Sequence, residues 1–310
     1  MIPDAYAAPA TRVVLGDGRS INLRCSGQGE RVVLFEAGTN ADSTTWYRVL
    51  PMLKDHARAC AYDRAGYGFS DEGPMPRDLN ADITDLHELI RTAKLPLPLV
   101  LVGHSLGSNI VRGYAQRFPS DVAGMVLVDP PEQGADSAMP EQWKRDDAIS
   151  REKRNAFLAA CAKAAEAEDF LTASAPGCLR PPPAWMGERV AASVKANKAK
   201  PGYWRTLRSE LTENERVFST QVSPEERYGE IPLLLLSAGQ LDKGAPEEVR
   251  AVLKQVRELT HQRIMAASTR SERRLVSDAS HDIQLDRPDA VASAVEEMLR
   301  LATPHPAKEQ

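Results

Sequence analysis

The stretch Leu99-Val100-Leu101-Val102-Gly103-His104-Ser105-Leu106-Gly107 limits how this chain can fold more than any other. An apolar, partly β-branched run ends in a serine held between two glycines, and Leu106 to Phe118 then carries helical character up to Pro119. The pattern predicts a strand that turns sharply into a helix, with Ser105 at the apex. Where strand and helix approach this closely, a Cβ on either side of the serine would crowd the turn. A serine on such a strained apex is the arrangement of a nucleophile; the alternative is a structural serine in a turn.

The rest of the chain alternates strand and helix signals, which predicts a mostly parallel sheet covered on both faces. Arg12 to Leu15 and Ser20 to Cys25 surround Asp17-Gly18 and read as a hairpin. Further strands are expected at Arg31 to Phe35, Arg58 to Tyr62, Leu97 to Val102, Val122 to Val128, Leu233 to Leu236 and Arg273 to Val276. Helices are expected from near Ser43, over Asp78 to Thr92, from Pro246 to Leu259 and from Pro288 to Leu301. Between residues 132 and 227 the texture changes to alanine-rich, charged segments broken by Pro176-Gly177, Pro181-Pro182-Pro183 and Pro201-Gly202. This reads as a helical cap inserted into a core formed by residues 1–131 and 228–310. A chain of 310 residues with 42% apolar content is large enough for both.

Charge and hydropathy narrow the class of partner. A net charge of -4 argues against a nucleic-acid surface, which needs clustered excess Lys and Arg. No run approaches the roughly 20 apolar residues of a membrane helix, so no membrane span is expected. Met1 to Pro9 has neither a basic region nor an apolar core, so no leader is expected in this chain, although a mature exported form fits the same observation.

Several ordered motifs together resemble a capped α/β-hydrolase-fold serine esterase. They are Glu36-Ala37-Gly38, Tyr62-Asp63-Arg64-Ala65-Gly66-Tyr67-Gly68-Phe69-Ser70-Asp71, the Ser105 elbow, Val126-Leu127-Val128-Asp129-Pro130, and Ser280-His281-Asp282-Ile283-Gln284. The resemblance implies an eight-stranded, mostly parallel sheet flanked by helices, and a Ser-His-Asp triad in that fold's chain order of Ser, acid, His. A serine hydroxyl is a poor nucleophile at neutral pH and needs a base, which a carboxylate in turn orients.

Six histidines can be weighed for the base. His104 sits on the elbow pointing away from the serine, His56 and His87 precede the serine, and His305 lies in the tail. His261 follows the helix expected from Pro246. His281 lies in the loop after the last strand, where the resemblance places the triad histidine. For the acid, Asp242 follows the Leu233 to Leu236 strand through a glycine-containing loop, the family's usual arrangement, and Asp129 at the end of the preceding strand is the alternative. The oxyanion donors are expected to be the main-chain amides of Leu106 and Thr39, with Asn40 second to Thr39. Here Ala37-Gly38-Thr39-Asn40 departs from the common His-Gly pattern. Glu36 reads as structural, near Arg64, and Arg64 with Asp71 reads as holding the turn after Tyr62.

The resemblance also sets the strand ending at Cys25 beside the strand carrying Cys60, within reach of a disulfide, and Cys161 and Cys178 in the cap form a second candidate pair. This even division favours an oxidising compartment over four free thiols in a cytoplasmic enzyme. No metal-ligand spacing or dinucleotide fingerprint is present, so no cofactor and no metal are expected. Asn40, Trp143, Trp185 and Trp204 are candidate lining for a substrate pocket, with packing inside the cap the alternative for the tryptophans. The expectation is a hydrolase of small to medium carboxylic esters, because a serine at the apex excludes the aspartate chemistry of haloalkane dehalogenases and epoxide hydrolases. Amidase, lactonase, acyltransferase and a non-catalytic binding module stay open.

Overall fold

The structure, a computed structural model, describes residues 1–170, 177–240 and 245–302. Eight strands form one sheet: β1 (Thr11–Val14), β2 (Ser20–Ser26), β3 (Val32–Glu36), β4 (Arg58–Tyr62), β5 (Leu99–His104), β6 (Val122–Val128), β7 (Leu233–Ala238) and β8 (Ser271–Val276). Their order is β1-β2-β4-β3-β5-β6-β7-β8, with the β1–β2 and β2–β4 pairings antiparallel and the remaining pairings parallel.

The central strands β3, β5, β6 and β7 read as nearly continuous apolar runs because both of their faces are buried. Side chains alternate across a strand. Accordingly Leu34, Leu99, Leu101, Leu127 and Leu235 join one core with α1 (Leu79–Thr92) and α2 (Leu106–Arg117). Val33, Phe35, Val100, Val102, Val126 and Leu234 join a second core on the opposite face.

Between β6 and β7 the chain inserts α3 (Glu141–Glu166), α4 (Gly187–Lys198), α5 (Pro201–Glu213) and the short α6 (Glu215–Ser219). Leu158, Tyr203, Trp204 and Leu207 give the insertion its own core, which Tyr67 from the loop after β4 also joins. α7 (Glu247–Ala266), the short α8 (Ile283–Asp286) and α9 (Pro288–Leu301) complete the chain, and α9 lies against the second core through Val291, Val295 and Met298. Both expected disulfides are present: Cys25 and Cys60 face each other in the register of β2 and β4, and Cys161 joins Cys178 in the insertion. Among the described residues no helix is long and apolar enough to cross a membrane.

Two elements differ from expectation. The segment from Ser43 forms two 3₁₀ turns, Ser43–Trp46 and Leu50–Leu53, rather than an α-helix. Ser43-Thr44-Thr45 is a weak helix former, and Asp42 accepts from the Thr44 amide and caps a tight turn instead. α7 runs on to Ala266, because the residues after Leu259 contain no glycine or proline and bury His261 and Ile264.

Candidate active site

The turn at Ser105 has the strain its sequence foretells. Ser105 adopts φ 51° and ψ -122°, outside the ordinary regions for an L-residue, and its amide donates to the Val128 carbonyl at 3.1 Å. A Cβ on Gly103 would stand 2.4 Å from the Gly107 carbonyl oxygen, and one on Gly107 would stand 2.6 Å from the carbonyl oxygens of Glu36 and Ala37. The two glycines therefore let α2 start against the ends of β3 and β5. Leu106 opens α2, so its amide is one of the first-turn donors with no acceptor inside the helix, at the positive end of the helix dipole.

His281 stands in the loop between β8 and α8 with its side chain about half exposed. Its Nδ1 lies 2.6 Å from Oδ2 of Asp129, which follows β6 in a left-handed conformation with φ 47° and is buried. Asp129 Oδ1 accepts from the Ala238 amide at 2.8 Å and from the Arg257 guanidinium of α7. Burial alone would raise the Asp129 carboxyl, but the His281 hydrogen bond, Arg257 and the Ala238 amide together hold it below the usual carboxylate range. Burial would likewise lower the His281 imidazole, yet the hydrogen bond and charge of Asp129 outweigh it and raise the histidine above its ordinary value. Asp242 lies outside the described residues. Ser105 Oγ has no hydrogen-bond partner among the described residues, and such contacts commonly tighten only when substrate binds.

The other candidate histidine has a different place. His261 lies inside α7 rather than after it, buried with Nε2 3.1 Å from the Pro130 carbonyl, and burial first of all lowers it to about 4. His104, on the elbow, holds a neighbouring loop. Burial, then the nearby His281, lower it to about 4, so it is neutral, and its Nε2 lies 2.9 Å from the His281 carbonyl oxygen. These partners assign Nε2 as the donor, with Nδ1 facing the Gln284 amide at 3.4 Å. The elbow thus steadies the backbone of the histidine loop.

The loop after β3 lies beside the serine, since a Cβ on Gly38 would come within 3.1 Å of the Ser105 Cβ. Arg64 controls its shape, donating to the Ala37 carbonyl at 2.6 Å, the Gly38 carbonyl at 2.7 Å and Glu36 at 2.7 Å. Glu36 is buried and is pushed up to about 7 by that burial, against the opposing pull of Arg64 and of the Tyr62 hydroxyl that donates to it. The structural reading of Glu36 agrees with these contacts, whereas Arg64 reaches into this loop instead of bracing its own turn. Asp71 ties that turn to the hairpin through Arg12 and the Ser20 amide. The Asn40 amide donates to Glu210 of α5 at 3.0 Å and its side-chain carbonyl accepts from Tyr203, while no described residue accepts from the Thr39 amide.

The candidate pocket aromatics do not converge. Trp204 is buried in the insertion's core against Tyr203 and Phe157. Trp185 stacks on Tyr47 at 5.6 Å, with its carbonyl holding the Ile2 amide, and Trp143 is half-buried in the first turn of α3. Glu210 and Arg257 are site neighbours that sequence reasoning missed, and Arg64 is one that it misplaced. Among the described residues no group of three or more His, Cys, Asp or Glu could hold a metal ion.

A strained serine between two glycines, at the head of a helix and on a mostly parallel eight-stranded sheet, defines the class. A model of the alpha/beta hydrolase family matches residues 32–294, and the chain belongs to that family. Among curated proteins, the uncharacterized protein YqjL of Bacillus subtilis (strain 168) is 34% identical over 98 residues, 32% of this chain and 39% of its own. The match therefore spans about two fifths of that relative's length. Among solved structures, the epoxide hydrolase CorEH aligns with a TM-score of 0.65 at 16% identity, over 94% of this chain and 98% of its own. A thermophilic esterase from Thermogutta terrifontis aligns with a TM-score of 0.62 at 20% identity, over 96% of this chain and 100% of its own. At such identities the likeness is one of fold.

Proposed function

We propose that the protein is a cofactor-independent carboxylic ester hydrolase working through an acyl-enzyme on Ser105. The observation that carries this reading is the 2.6 Å contact between His281 Nδ1 and the buried Asp129 carboxylate, which leaves Nε2 to serve a serine. The acid role accordingly goes to Asp129 and not to Asp242. Ser105 Oγ attacks the ester carbonyl carbon as Nε2 of His281 takes its proton, and Asp129 stays ionised, holding the tautomer and balancing the imidazolium. The amides of Thr39 and Leu106 receive the developing oxyanion; each such donor is worth about 2.7 to 4 kcal/mol. The protonated Nε2 then hands its proton to the leaving alcohol as the C–O bond breaks. Water, deprotonated by the same nitrogen, attacks the acyl carbon and frees Ser105 with the carboxylic acid.

The serine apex supports this chemistry over epoxide opening, because the epoxide hydrolases of this fold place an aspartate there. Residues 1–131 and 228–310 make the catalytic core in this reading, and 132–227 act as a cap that shapes the site for a small to medium ester. Trp204, enclosed in the insertion's own core, drops out of the pocket lining.

A fluorophosphonate probe tests the assignment. Folded protein is expected to take up one equivalent on Ser105, located by peptide mass spectrometry, and folded protein that stays unlabelled would sink the enzyme reading. The pH profile supplies a second prediction. Only neutral His281 can accept the serine proton, and its affinity for protons is raised in the fold. The acid limb of kcat/KM should therefore lie above the ordinary histidine value of about 6.5. A limb centred below that value would argue against Asp129 as the partner of the base.

A further inference from the structure

Building on the ester-hydrolase reading, we propose that Glu210, on helix α5 of the insertion, is a positioning residue that fixes the oxyanion loop by clamping the Asn40 amide and the Arg64 guanidinium. Glu210 is buried, and each of its oxygens is engaged. Oε1 accepts from the Asn40 amide at 3.0 Å and from the Tyr67 hydroxyl at 3.0 Å, and Oε2 accepts from Arg64 Nη2 at 2.7 Å and Nε at 3.2 Å.

The consequence for Thr39 follows from peptide geometry. In a trans peptide the C=O and the N–H point in opposite directions. The Thr39 N–H shares its plane with the Gly38 carbonyl, and Arg64 Nη2 binds that carbonyl at 2.7 Å. Arg64 therefore aims the Thr39 N–H away from itself. The next plane, running from the Thr39 carbonyl to the Asn40 N–H, is held by Glu210 directly. Both planes flanking Thr39 are thus fixed, and Glu210 contributes to each, to one through Arg64 and to the other by its own oxygen. Asn40 needs this support because it sits at φ 57°, a conformation a free loop would seldom keep.

The insertion is then part of the catalytic geometry. Displacing α5 from the core would withdraw Glu210 from Asn40 and Arg64 together, and the Tyr203 hydroxyl from the Asn40 side chain with them. The oxyanion donor would lose its alignment whenever the insertion moved away.

Steady-state kinetics on p-nitrophenyl butyrate and the rate of fluorophosphonate labelling test this, using Glu210→Ala, Glu210→Gln and Arg205→Ala. Arg205 joins the same helix to Glu72 at 2.7 Å on the exposed side and touches nothing in the oxyanion loop. Glu210→Ala is expected to lower kcat by about 10- to 100-fold, less than outright loss of a donor. KM should stay within about threefold, and labelling should slow in parallel, because the probe's P=O oxygen uses the same amides. Glu210→Gln keeps an acceptor for the Asn40 amide but holds Arg64 more weakly, and should lose several-fold in kcat. Arg205→Ala should match the wild type. An unchanged kcat in Glu210→Ala would overturn the proposal, and so would an equal loss in Arg205→Ala. If the alanine variant does not fold, the glutamine variant decides, and wild-type kcat there overturns it. Wild-type protein that neither hydrolyses the ester nor labels would instead overturn the ester-hydrolase reading itself.

Discussion

Ser105→Ala is expected to lower kcat/KM for an activated ester by about 10⁶, the scale set by removing the nucleophile of a Ser-His-Asp triad. The fold should survive the change. The substitution removes only Oγ, which bonds to no described residue, and leaves the Cβ and the amide that donates to Val128 in place. Matched unfolding midpoints for the two proteins, together with the activity assay, would separate lost chemistry from lost structure. Ester hydrolysis that persists in the folded variant would mean that another group attacks the carbonyl.

Asp129→Asn should cost about 10⁴ in kcat, as the corresponding change does in an established triad, because an amide on Nδ1 no longer enforces the productive tautomer. It should also move the acid limb of the pH profile down. The carboxylate is what raises the His281 imidazole against burial, so its removal leaves burial to dominate. Some stability will be lost as well, since Arg257 is buried beside Asp129 and, among the described residues, would keep one carboxylate partner, Glu132 at 3.6 Å. The informative comparison is with Asp242→Asn. A larger loss at position 242 would transfer the acid role there.

What the sequence revealed was what its near neighbours decide. The elbow was legible because its requirements are local: glycines at 103 and 107, an apolar strand before and a helix after. The centre of the sheet was legible because β3, β5, β6 and β7 alternate between two cores and so read as apolar runs. The choice between Asp129 and Asp242 was not legible, since both follow strand ends in the sequence, and the proposal for Asp129 rests on its contact with a histidine 152 positions away. Arg64 and Glu210 are 146 positions apart, and nothing in an alanine-rich, charged insertion marks one glutamate as the partner of a loop in the core. His261 looked loop-borne because α7 was expected to stop at Leu259. Its burial against Pro130 then removed it as a candidate base.

The register of two strands has a mechanical consequence. His104 of β5 pairs with Val128 of β6, so Ser105 and Asp129 are each the next residue beyond one rung of the central sheet. In the proposed mechanism, nucleophile and acid are thereby set on neighbouring strands, at the spacing of adjacent strands, about 4.8 Å. The histidine alone travels on a loop, tethered at its backbone by His104 and at its ring by Asp129. The proposed base is then the member of the three whose place depends on loop contacts rather than on the register of the sheet.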